Sequence, residues 1–165
     1  MDALGGFSID RADPGDVSVR LLIEAHLAHS WDSTPQTSNH TLGVAALRGQ
    51  GIRFWTVSDN IGVVGCGALK ALSDQTAEVK SVHVAHAARG RGVAKMLMEH
   101  LIETARQGGT KALVLETGSM DDYKPARGLY KALGFTFCGL IPGYDLDPNS
   151  VFMRLALDPA EPWPQ

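Results

Sequence analysis

The segment Arg89-Gly90-Arg91-Gly92-Val93-Ala94 stands where a β-rich run gives way to an amphipathic helical pattern. Two glycines let the backbone approach an anion closely, and the first N–H groups of a helix have no partner inside it. The helix dipole adds positive potential at that end, and two guanidinium groups add charge-assisted contacts. A pyrophosphate is the ligand this chemistry suits. A dinucleotide-binding turn asks for a third glycine where Lys95 stands, and a P-loop asks for Gly-Lys-Ser/Thr, which is absent. A pattern this loose arises by chance in roughly one chain in six of this length, so it needs a second feature. Leu129-Tyr130 followed by Gly134-Phe135 supplies one, because L-Y-x-x-x-G-F arises on the order of once per thousand chains.

The elements that must position these residues follow from periodicity and punctuation. Phe7 to Arg11 reads as a short strand, and Asp13-Pro14-Gly15-Asp16 opens a helix in which Val17, Leu21 and Ala25 share a face, running to about His29. Ser30 to Asn39 reads as a loop and Thr41 to Arg48 as a second helix. Ile52 to Ser58 and Ile61 to Leu72 form a hairpin across Asp59-Asn60, with Thr76 to Val84 as a third run. Val93 to Ala105 is the most regular amphipathic helix, stopped by Gly108-Gly109. Ala112 to Glu116 is a strand, Pro125 to Leu133 a helix, and Phe135 to Leu140 and Val151 to Leu157 the last strands. The order β-α-α-β-β-β-α-β-α-β-β, with three strands together in the middle, predicts a mixed sheet with helices on both faces.

The composition fits one domain, residues 1–157, with 158–165 as a loose C-terminal tail. The chain has 165 residues, 44% hydrophobic and 20% charged, which excludes collagen and wholesale disorder. Its net charge of −3 argues against nucleic acid as a partner. No apolar run approaches the roughly 18 residues of a membrane span, and Met1 to Ile9 lacks the pattern of a signal peptide, so the cytoplasm is the expected location. Cys66 and Cys138 read as buried thiols. His26, His29, His40 and His86 find no third ligand at metal spacing, so no metal is expected. The one unusual count is 18 glycines.

Together and in this order, the two motifs resemble the GNAT superfamily of acetyl-CoA-dependent N-acetyltransferases. The runs Gly65-Cys66-Gly67-Ala68-Leu69-Lys70, Glu78-Val79-Lys80-Ser81, Leu115-Glu116-Thr117-Gly118 and Asp147 to Met153 look like those of a bacterial subgroup of small acetyltransferases. The resemblance implies an α/β (α+β) GNAT fold: a central mixed, mostly antiparallel sheet of six to seven strands, flanked by about four helices. It implies acetyl-CoA as cosubstrate and a primary amine of a small molecule or peptide as acceptor. It also implies that Ser81 to Val84 splay from Leu113 to Glu116. The pantetheine arm would then bond backbone near Val82, His83 and Val84. The turn Arg89, Gly90, Arg91, Gly92, Val93, Ala94 would hold the pyrophosphate, and Tyr130 would lie near the sulfur. Many members carry an Asn seven residues before that Tyr; here the position is Tyr123.

Amine attack on a thioester needs a neutral amine, and a lysine-like amine has an ordinary pKa near 10.4, so a base helps. The resemblance points to Glu78 as that base and to Tyr130 as the acid that protonates the thiolate. Glu78 could equally pair with Lys80, which shares its strand face. Glu116 is a second carboxylate at a strand end, and His83 lies in the cofactor strand. Trp31, Trp55 and Tyr144 could line a pocket or fill the core. Glu24, His29, Asp32 and His40 could attract a cationic amine or face solvent. Other readings are an acyl-CoA-binding sensor or interaction module without turnover, and an acetyltransferase for protein lysine or N-termini. The sequence leaves homodimerisation open.

Overall fold

The computed structural model describes residues 6–33, 44–49 and 51–157, without the side chains of 26–33, 44 and 45. The elements run β1 (Ser8–Arg11), α1 (Val17–Ser33), α2 (Val44–Leu47), β2 (Ile52–Ser58), β3 (Val63–Ala71), β4 (Thr76–Val84), α3 (Val93–Gln107), β5 (Ala112–Gly118), α4 (Lys124–Ala132), β6 (Thr136–Cys138) and β7 (Ser150–Ala156). The order matches the periodicity reading, with ends moved by a few residues. The predicted loop from Ser30 begins inside α1, and its remainder, like the C-terminal tail, lies outside the described residues. Among the described residues no helix is long and apolar enough to cross a membrane.

Among the described residues a seven-stranded sheet supports the helices, in the order β1-β2-β3-β4-β5-β7-β6. Every neighbouring pair is antiparallel except β4 and β5. That exception follows from connectivity: α3 is the crossover that returns the chain to start β5 in the direction of β4. On one face α3 and α4 bury Leu97, Met98, Leu101 and Tyr130 against Leu69, Val79, Leu113, Leu115 and Met153. On the other, Val19, Leu22, Ile23 and Leu47 cover Phe54, Cys66 and Ala68. Val17, Leu21 and Ala25, the predicted core face of α1, are exposed. Apolar residues occur all round that helix, so spacing does not choose the buried side.

Both long crossover helices end the same way. Gly109 and Gly134 have φ of 84° and 103°, a conformation that favours glycine. Gly109 donates to Arg106 and Thr110 to Ala105 after α3, while Gly134 donates to Lys131 and Phe135 to Tyr130 after α4. These are paired Schellman bonds, and the second set puts Phe135 beside Tyr130, with ring centroids 5.9 Å apart. The L-Y-x-x-x-G-F spacing therefore encodes a helix stop.

Gly65 and Gly67 are needed for close packing. An added Cβ at Gly65 would stand 3.0 Å from Val93, and one at Gly67 would stand 3.0 Å from Leu97 and 3.3 Å from Leu101 and Val82. Their absent side chains let α3 lie close on β3. Gly67→Val is expected to lower stability by about 1–3 kcal/mol through overpacking, measured by urea denaturation. An unchanged midpoint would show that α3 can move away freely.

Candidate active site

β4 and β5 pair at Thr76 with Ala112, Ala77 with Leu113 and Glu78 with Val114, and no further. Beyond Glu78 the strands separate, and their C-terminal ends open on the same side because they are parallel. The separation coincides with a bulge on the other edge of β4. Cys66 faces His83 and Ala68 faces Lys80, so Gly67 alone opposes Ser81 and Val82. Ser81 takes up the extra residue with φ of 57°, the only described non-glycine in the left-handed region. Its Oγ is buried with no hydrogen-bond partner. Val82, His83 and Val84 thus lie in the part of β4 that no longer pairs with β5.

The chain leaves β4 through Ala85, whose N–H bonds Val64 at 2.8 Å, and a short 3-10 turn at His86–Ala88. It then enters α3 at Gly92. Gly90 and Gly92 have φ of 80° and 78°, and an added Cβ on either would meet nothing within 4 Å. The turn is open above the free N–H groups of the helix start, a shape that fits a phosphate group. Arg89 is exposed there, Val93 is buried and Ala94 half-buried. Arg91 turns aside: its guanidinium lies 3.4 Å from Asp59 and 4.7 Å from the Phe7 ring centre. The N–H groups of Ile61 and Gly62, with Arg91, hold the Asp59 carboxyl below its ordinary value.

The far wall is the end of β5. Gly118 leaves no room for a side chain, since the Tyr123 ring lies where its Cβ would be. Tyr123 is half-buried in this packing role. Arg127 on α4 donates to the carbonyls of Gly118 at 2.6 Å and Met120 at 2.9 Å, which fixes the loop between β5 and α4. Arg127 was not predicted from sequence, because an Arg within a helix gives no sign that it points back at a strand end.

On the sheet face opposite α3, five polar side chains gather. Lys80 Nζ lies 3.1 Å from Glu78 Oε2, and it donates to the Tyr144 hydroxyl at 2.8 Å. Tyr144 in turn donates to Glu78 Oε2 at 2.5 Å. The side chains of Glu78 and Lys80 are only 3% and 10% exposed, so this is a buried ion pair. Ser150 donates to Glu116 Oε2 at 2.7 Å. The run Asp147 to Ser150 is a turn that sets this contact: Asn149 N–H bonds Asp147 Oδ1 at 2.8 Å, and Ser150 N–H bonds the Asp147 carbonyl at 3.1 Å. Burial first, then the bond and charge of Glu78 and the charge of Glu116, push the Tyr144 hydroxyl well above its ordinary value.

The remaining candidates sort by burial. Trp55 is core, edge-on to His100 at 5.9 Å. His83 is buried beside Cys66 across the ladder. Glu24 is exposed and lies 3.6 Å from Arg20. The side chains of His29, Trp31, Asp32 and His40 lie outside the described residues. Among the described residues no three His, Cys, Asp or Glu side chains converge as metal ligands would. Cys138 is half-buried rather than buried, because β6 is a short edge strand.

The family profile described as Acetyltransferase (GNAT) family matches residues 20–135. The chain belongs to the GNAT family. It is 42% identical over 136 residues to the uncharacterised N-acetyltransferase YsnE of Bacillus subtilis, covering 82% of this chain and 90% of that one. It is 36% identical over 152 residues to a protein of Azospirillum brasilense named IAA acetyltransferase, covering 91% and 97%. Among solved structures, an acyl-CoA N-acyltransferase from Klebsiella pneumoniae superposes with a TM-score of 0.76 at 27% identity, covering 92% of this chain and 98% of that one. The chain is therefore a GNAT N-acetyltransferase.

Two interior groups report how dry this fold is. Burial pushes the Tyr130 hydroxyl up to about 12 and the Cys66 thiol up to about 12. Only a thiolate reacts with alkylating agents. Cys66 is expected to resist iodoacetamide at pH 8 in the folded protein and to be labelled once urea unfolds it, read by mass spectrometry. Rapid native labelling of Cys66 would show that its core opens readily.

Proposed function

We propose that this acetyltransferase binds acetyl-CoA in the gap between β4 and β5 and transfers the acetyl group to a primary amine of a small molecule or peptide. The observation that carries the reading is the strand separation after Glu78 and Val114, set beside the open turn at Gly90 and Gly92. The backbone of β4 near Val82, His83 and Val84, past the last residue that pairs with β5, holds the pantetheine amides. The turn Arg89 to Ala94 holds the pyrophosphate through helix N–H groups and Arg89, with Arg91 shared with Asp59. Acetyl-CoA supplies an activated acyl group and a sulfur leaving group.

Glu78 and Tyr130 divide the proton transfers. Tyr130 is buried on the α3 and α4 face and Glu78 on the opposite face, with the gap between the strands separating the two. Glu78 takes the proton of the attacking amine, directly or through a water, and Tyr130 protonates the departing sulfur. On ordinary values the second transfer is uphill by about 2 kcal/mol. Burial pushes the Tyr130 hydroxyl up to about 12, and it also raises the Cys66 thiol on the opposite face of the sheet. Desolvation beside Tyr130 raises a thiol in the same direction, so burial by itself does not make the transfer steeper. Glu78 and Glu116 on the acceptor side favour a cationic amine over an anionic acceptor.

Tyr130→Phe is expected to lower kcat by about tenfold or more while acetyl-CoA still binds. The measurement is thiol release from acetyl-CoA across an amine panel, with calorimetry for binding. Unchanged turnover would remove Tyr130 from the mechanism. Tight acetyl-CoA binding without thiol release for any amine would overturn the enzymatic reading of the gap.

A further inference from the structure

Glu78 is held asymmetrically. Both of its hydrogen bonds, from Lys80 and Tyr144, end on Oε2. Its Oε1 accepts none from any described residue. Lys80 and Tyr144 also bond each other at 2.8 Å, so the three groups close a ring around one oxygen. Such a ring fixes the carboxylate plane, because turning it to present Oε2 outward breaks two charge-assisted bonds at once. The Tyr144 ring is itself set edge-on against Phe152 of β7, 5.4 Å between centroids. It reaches the sheet from the segment that joins β6 to β7, the part of the chain that Asp147 to Ser150 tie down.

We infer that Tyr144 and Lys80 are positioning residues that occupy Oε2 of Glu78 and present Oε1 as the oxygen that takes the proton of the acceptor amine. The inference rests on the proposed base role of Glu78. In the step, the amine nitrogen bonds the acyl carbon, the carbon–sulfur bond breaks with its electron pair on sulfur, and the amine proton passes to Oε1. Lys80 keeps the buried carboxylate balanced by a positive charge throughout. Tyr144 remains a hydroxyl donor through the working pH range, since burial and its carboxylate neighbours disfavour its ionisation. The ring also links the acceptor side to the β6–β7 segment, so that segment contributes to catalysis without touching the reacting atoms.

The charged and titratable groups around Glu78 are few. Lys80 shares its strand, Lys70 of β3 stands opposite it in the ladder, and Arg154 of β7 lies opposite Val114, its partner on β5. Glu116 of β5 is bonded by Ser150. On α1, Arg20 and Glu24 pair with each other at the surface, and the side chains of 26–33 lie outside the described residues.

Tyr144→Phe keeps the ring on Phe152 and removes one donor. The test is kcat and kcat/KM against pH, with acetyl-CoA affinity and thermal midpoint measured on the same preparation. The expected result is a fall in kcat of about tenfold, with acetyl-CoA affinity unchanged. The acid limb of the pH profile should also move to higher pH, because a carboxylate that loses a donor to its charged form is protonated more easily. Lys80→Met should move the limb the same way, and it decides the matter if Tyr144→Phe does not fold. A folded variant with an unmoved limb and full kcat overturns the positioning role. Glu78→Gln separates the two ideas: loss of turnover there beside an unaffected Tyr144→Phe overturns only the positioning, whereas full turnover in Glu78→Gln overturns the base role itself.

Discussion

The parting of β4 from β5 after Glu78 is the constraint on which the rest of this structure depends. Central strands of a sheet ordinarily satisfy every backbone group through their neighbours, and leaving several unpaired is costly unless something else bonds them. The separation coincides with the bulge at Ser81, where two residues of β4 answer one of β3. The bulge also puts a serine into a conformation that costs roughly 1–2 kcal/mol and buries its hydroxyl without a partner. Strain and unsatisfied polarity thus gather at one point of the sheet, beside the proposed acetyl-CoA gap.

Everything around that point keeps the gap open and useful. Gly65 and Gly67 bring α3 down onto β3, so its first turn arrives directly above the end of β4. Arg127 and Tyr123 hold the end of β5 from the other side. The gap runs from one face of the sheet to the other. One face offers a buried tyrosine in an apolar setting, and the other offers two carboxylates, a lysine and a second tyrosine. The proposed proton donor Tyr130 and the proposed base Glu78 thereby lie on opposite faces of the sheet.

Much of the fold was legible in the sequence because its signals are local. The 3.6-residue repeat of Val93 to Ala105, the glycine stops at Gly109 and Gly134 and the Asp59 turn each follow from a few neighbouring residues. α1 was misread on its buried side because its apolar residues lie all round, and only contact with Phe54 and Cys66 selects Val19, Leu22 and Ile23. Gly65 and Gly67 stood out as unusual in a strand, but the helix that needs them lies some thirty residues on in the chain.

At the site the division is sharper. The sequence alone determined that a Gly-rich, Arg-flanked turn opens the main amphipathic helix, that Tyr130 precedes a glycine stop, and that Glu78 and Lys80 share a strand face, since each depends only on spacing along one element. Tertiary structure alone decided that Arg91 turns to Asp59, that Tyr144 closes on Glu78, and that Ser150 holds Glu116. Tyr144 and Glu78 lie 66 residues apart, and no periodicity relates them. Their meeting is set by the sheet order that places β7 and its preceding segment beside β5, a long-range outcome of packing that local propensity does not encode.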